Sequence, residues 1–266
     1  MKTTILFLLL LITIGTGFKA GAQEVSNAYS NELFIKNNDT LRYRLLTPAN
    51  YDIHKAYPII IFLHGSGERG SDNNAQLLHG GALFVKDSLR KAFPAFVLFP
   101  QCPKDQTWAP MKLIRDKDGK ITDVKFGLTP EPTQPAALVK QVLDSLLATG
   151  KIDPKQVYLG GLSLGGMGTF DMLARYPDVF AAAFPICGAG DVTAASKYGK
   201  KVAMWIFHGG ADNVVPVDFS RAFYKALKEM NADVKYTEYP GVGHNSWDNA
   251  FAEPTLLPWL FSHKKQ

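Results

Sequence analysis

Apolar residues follow two rhythms along this chain, and the switches between them lay out its elements. Alternating or continuously β-branched runs predict strands over residues 32–36, 41–47, 58–63, 95–99, 156–160, 181–186, 202–207 and 234–239. Apolar positions three to four apart predict helices over about 74–91, 134–148, 164–176 and 217–230. The first two strands flank Asn37-Asn38-Asp39, residues that tolerate the backbone angles of a tight hairpin, so they read as an antiparallel edge. Pro58-Ile59-Ile60-Ile61-Phe62-Leu63 is apolar throughout, which suits a strand buried on both faces. Strand and helix then alternate, predicting an α/β fold: a mostly parallel central sheet, helices on both faces and right-handed crossovers. Residues 101–132 break the rhythm with Trp108, an Asp118-Gly119 turn and several prolines. Long connections of this kind are either binding loops and lids or tolerated surface insertions.

The first residues change the picture of where the chain works. Lys2 precedes an apolar run over 5–14 and then Ala20-Gly21-Ala22, the pattern of a cleaved export signal. Residues 1–22 are therefore expected to be a signal peptide and 23–266 a single catalytic domain, secreted or periplasmic. The apolar run is shorter than the roughly 20 residues that cross a bilayer, and no later segment reaches that length, so no membrane span is expected after the signal is removed. Loss of Lys2 and Lys19 lowers the formal charge from +5 to +3, and the remaining basic residues are scattered. That argues against a nucleic-acid partner. Cys102 and Cys187 are the two cysteines. In the expected strand order they end strands separated by two others, roughly 14 Å apart at about 4.8 Å per strand, too far for a bridge. Free thiols are expected.

The chemistry concentrates at Gly161-Leu162-Ser163-Leu164-Gly165, a G-x-S-x-G widened by Gly160 and Gly166. Apolar Val157-Tyr158-Leu159 runs into it and a helical pattern leaves it, the strand, sharp turn and helix of a nucleophile elbow. Ser163 could instead merely cap that helix, but a cap does not need glycine on both sides. A serine hydroxyl needs a base to become a nucleophile. His244, flanked by Gly243 and Asn245 beyond the last strand, is the candidate, with His208 as its rival. Asp212, after the preceding strand, is the candidate orienting acid, with Asp248 and Asp218 as rivals. The order Ser, Asp, His is that of α/β-hydrolases. Oxyanion donors are expected from the amides of Leu164 and of Ser66, with Gly67 as fallback and as part of the substrate-facing wall. Trp108 and Trp247 are candidate aromatic walls of the substrate site or else core residues. Phe184 to Cys187 and the residues to Asp191 should line the same rim. His54, His79 and His263 read as surface residues. No cofactor is expected, and no H-E-x-x-H or Cys/His spacing suggests a metal. Gly65-Ser66-Gly67-Glu68-Arg69-Gly70 also spells G-x-G-x-x-G, but Glu68 would set a carboxylate where a pyrophosphate must sit.

Taken together, His64 to Gly70, Pro100-Gln101-Cys102-Pro103 with Trp108, Gly161 to Gly166, His208 to Asp212 and Gly243-His244 carry a family resemblance. The chain resembles exported bacterial esterases of the α/β-hydrolase superfamily, related to feruloyl and acetyl-xylan esterases and polyhydroxybutyrate depolymerases. The resemblance spans about residues 59–244. It implies a Ser163, Asp212 and His244 triad that hydrolyses a small-molecule or carbohydrate-linked ester. A serine peptidase acting on short peptides and a non-catalytic binding module are the competing readings.

Overall fold

The computed structural model describes residues 23–118, 121–127 and 129–265. The expected signal peptide, residues 1–22, lies outside them, as does Gly119 of the expected turn. The chain opens with a short helix over 23–28 and the hairpin β1 (Ser30–Lys36) and β2 (Asp39–Leu46). Asn37 and Asn38 turn it with φ of 52° and 68°, the left-handed angles that asparagine accepts more readily than most residues. β3 (Tyr57–Leu63) and β4 (Phe96–Gln101) follow, then β7 (Ile152–Leu162), β8 (Ala182–Ile186), β9 (Ala203–Gly209) and β10 (Val234–Tyr239). They form one eight-stranded sheet in the order β1-β2-β4-β3-β7-β8-β9-β10, antiparallel at β1 and β2 and parallel from β4 onward.

The central strands show why continuous apolar runs were needed. In β3, Ile59, Ile61 and Leu63 enter a core with Leu138, Val139 and Val142 of the helix Gln134–Ala148 and with Phe170 and Leu173 of Leu164–Arg175. Phe223 and Leu227 of the helix Asp218–Glu229 close that side, and the Phe170 and Phe223 rings stack at 3.8 Å. Ile60 and Phe62 point the other way, toward Leu83, Phe84, Ala250, Leu256 and Leu260. Alternate side chains of one strand thus face two cores. The second is roofed by the helices Gly81–Phe84, Trp247–Ala252 and Leu256–Phe261.

One expected element is corrected. The helix over 74–91 is three short pieces, Ala75–Leu77, Gly81–Phe84 and Asp87–Ala92. Gly80 stands at φ +91°, outside the range of a right-handed helix, and its missing Cβ leaves room for the Phe251 ring. In the irregular stretch, β5 (Met111–Arg115) and β6 (Ile121–Phe126) pair as a separate antiparallel hairpin. Its base is pinned where Phe126 meets Phe219 edge-on and where the Arg175 guanidinium donates to Thr129 O. Cys102 and Cys187 are free and buried, with β3 and β7 between the strands they end. No helix among the described residues is long and apolar enough to cross a membrane.

Candidate active site

The sheet delivers the key side chains at the ends of three adjacent parallel strands, β7, β8 and β9, and of β10 beside them. Ser163 leaves β7 at φ 51° and ψ −114°, a region that costs a non-glycine residue strain and that points its hydroxyl out of the turn. The flanking glycines are spatial necessities. A Cβ on Gly161 would stand 2.3 Å from Gly165 O, and one on Gly165 would stand 1.9 Å from Leu63 O. The turn is therefore pressed against the end of β3 on one side and against its own helix on the other.

His244 and Asp212 complete a hydrogen-bonded line. His244 Nε2 lies 2.9 Å from Ser163 Oγ, and His244 Nδ1 lies 2.7 Å from Asp212 Oδ2. Asp212 Oδ1 accepts from the Val214 and Val215 amides at 2.8 and 2.9 Å. Burial pushes this carboxyl upward, but the His244 hydrogen bond and the two amides outweigh it and hold it below the usual carboxylate range. An ionised Asp212 fixes the imidazole proton on Nδ1 and leaves Nε2 free to accept from the serine. His208, the rival base, is fully buried and faces away: Nδ1 meets Ser220 Oγ at 2.7 Å and Nε2 meets Val215 O at 2.9 Å. Burial lowers its pKa, so it stays neutral behind Asp212, with Nε2 3.3 Å from Oδ2. Asp218 pairs with Arg221 at the start of its helix, and Asp248 caps a local turn with Asn245.

The two amides expected as oxyanion donors lie on loops that leave the sheet side by side. Leu63 of β3 pairs with Gly161 of β7. Leu164 is the first residue of its helix, and Ser66 is the first residue of the short 3-10 helix Ser66–Glu68, so their amides have no partner within those helices. Gly67 is exposed, with open space where a side chain would be.

The two tryptophans part company. Trp108 is not a wall of the cleft: it is fully buried, donates from Nε1 to His64 O at 3.0 Å and packs edge-on against the His64 ring. It props the loop after β3 from within. Trp247 is half-buried and meets the His244 ring edge-on, with centroids 5.4 Å apart. His79, expected to be a plain surface residue, is also half-buried and packs against Trp247 with ring centroids 5.1 Å apart. Its Nε2 lies 3.7 Å from the buried Glu68. Phe184 to Ala189 are buried beneath the site rather than on its rim, and only Gly190 and Asp191 are partly open. Nothing in the local sequence around His79 announced this placement. It follows from where the broken helix turns.

Residues 51–253 match the phospholipase/carboxylesterase family. The chain belongs to that family. It is a serine hydrolase of the α/β-hydrolase fold. A thermostable esterase of known structure is 32% identical and superposes with a TM-score of 0.80 over 91% of this chain, which spans 64% of that protein's length. A probable carboxylesterase of Oryza sativa subsp. japonica is 26% identical over 72% of this chain and 83% of its own. A bifunctional acetylxylan esterase/xylanase of Neocallimastix patriciarum is 33% identical over 41% of this chain and 16% of its own. Among the described residues of this hydrolase, one set of His, Cys and acidic side chains lies close enough to share an ion: Cys187, Asp212 and His244.

Proposed function

We propose that this hydrolase is a secreted or periplasmic carboxylesterase that cleaves acyl esters carried on carbohydrate, with Ser163 as nucleophile, His244 as base and Asp212 as orienting acid. The observation that carries the reading is the unbroken line from Ser163 Oγ through His244 to Asp212, starting from a strained turn. His244 takes the hydroxyl proton as Ser163 attacks the carbonyl, then returns it to the leaving alcohol. The Leu164 and Ser66 amides receive the oxyanion, a role in which one donor contributes about 3 kcal/mol. Water hydrolyses the acyl-enzyme by the same steps. The likeness to an acetylxylan esterase and the half-buried Trp247 beside His244, an aromatic face on which a sugar or feruloyl ring can lie, support the carbohydrate-linked substrate. The export-type N-terminus supports the compartment.

A panel of acetylated xylo-oligosaccharides, feruloyl esters, simple alkyl esters and aminoacyl amides tests the substrate. Higher kcat/KM on the sugar-linked esters than on alkyl esters of the same acyl group is expected. Preference for the amides would replace this reading with the peptidase one.

A further inference from the structure

Beneath Ser163, three loops bring together a donor set that hydrolysis does not use in full. Cys187 ends β8, is fully buried and offers Sγ within 4.8 Å of both a nitrogen of His244 and a carboxylate oxygen of Asp212. Thiolate, imidazole and carboxylate are the ligand types of zinc and its softer neighbours. Bonds of about 2.3 Å to sulfur and about 2.0–2.2 Å to nitrogen and oxygen place neighbouring ligands of a tetrahedral ion roughly 3.4–3.6 Å apart. The 2.7 Å gap between His244 and Asp212 must then open by about 0.7 Å, and the thiol must close by at most about 1.2 Å. His244 keeps a fifth of its side chain exposed while Asp212 and Cys187 are buried, so an ion reaches the set from the His244 side.

A second observation points the same way. Ser246 Oγ, on the His244 loop, is fully buried, has no oxygen or nitrogen partner and lies against the Cys187 thiol. A buried hydroxyl without an acceptor is costly, and a neutral thiol is a weak one. A metal-bound thiolate would accept from the Ser246 hydroxyl, the outer support that metal ligands ordinarily have.

We propose that Cys187, Asp212 and His244 form an inhibitory site for a thiophilic divalent cation such as Zn2+ or Cd2+, whose entry switches the hydrolase off. The inference rests on the reading of His244 as the base. The cation displaces the Cys187 thiol proton to bulk water and binds His244 at Nδ1, whose proton passes to Nε2. Nε2 then donates where it had accepted, and Ser163 loses its base.

Cd2+ titration of the purified protein tests this, read by esterase rate and by the ultraviolet charge-transfer band of a cadmium thiolate. The rate should fall at least about tenfold with the band and return on adding EDTA. Cys187→Ala and Cys187→Ser, each compared with its own metal-free rate, should lose the band and need at least about tenfold more Cd2+ for the same inhibition. Cys102→Ser should keep both responses, and it carries the test if the Cys187 variants do not fold. Ser163→Ala should keep the band without turnover, so failure of the triad reading is seen in metal-free rates and failure of this one in the band. No band in Cys102→Ser, or unchanged inhibition in folded Cys187→Ala, would overturn the proposal.

Discussion

His64 shows how one buried side chain can tie the catalytic loop to pH. Its Nε2 accepts from the Cys102 amide at 3.0 Å, so the proton sits on Nδ1, which donates to Gly65 O at 2.6 Å. Burial pushes its pKa down to about 4, against the Gly65 carbonyl that pulls it up and with the help of Arg69. Unfolded, the same imidazole titrates near 6.5, so below that value the unfolded chain binds a proton that the folded one refuses. The contribution to stability is complete above about 6.5 and is lost as pH falls through about 4, reaching about 3 kcal/mol. Urea unfolding at a series of pH values should show this slope, and His64→Gln should flatten it by a similar amount while lowering stability at neutral pH. An unchanged slope in the variant would remove His64 as its source. The sequence marked His64 only as the start of a loop motif. Its role depends on Cys102 and Trp108, some 40 residues away, and no local pattern encodes those contacts.

At the scale of elements, the nucleophile turn is the most constrained piece of backbone. Gly165 has no room for a methyl group, since the obstacle is the Leu63 carbonyl and strand backbone cannot rotate away, whereas Gly67 faces open space. Gly165→Ala should therefore cost at least about 3 kcal/mol or prevent soluble expression, while Gly67→Ala should leave the melting temperature within about a degree. A Gly165→Ala protein as stable as the parent would show that the turn is looser than its contacts require. The strands were legible because burial on both faces forces continuous apolar runs, as in β3 and β8. The region 74–91 was not: Leu77, Leu83 and Phe84 keep helical spacing and do face the core, but Gly80 breaks the backbone that periodicity assumed.

For the whole molecule, strand order does what sequence distance hides. The serine, acid and histidine could be brought together from sequence because each stands just past an apolar run, and the sheet sets those runs as β7, β9 and β10, with β8 alone between the first two. The aromatic residues were not readable, since the same tryptophan suits a cleft or a core until a fold decides. Here Trp108 went inside and Trp247 stayed at the edge. Cys187 likewise gained meaning only when β8 was placed between β7 and β9, beneath the loops that hold His244 and Asp212.

The central claim, that the hydroxyl at the elbow is the activated nucleophile, is tested most directly by treating the intact protein with a fluorophosphonate and mapping the adduct by peptide mass spectrometry. One adduct per chain, on Ser163 and abolished together with esterase activity in His244→Ala, is the predicted result. An adduct on another residue, or full esterase turnover in a protein whose Ser163 stays unlabelled, would contradict it.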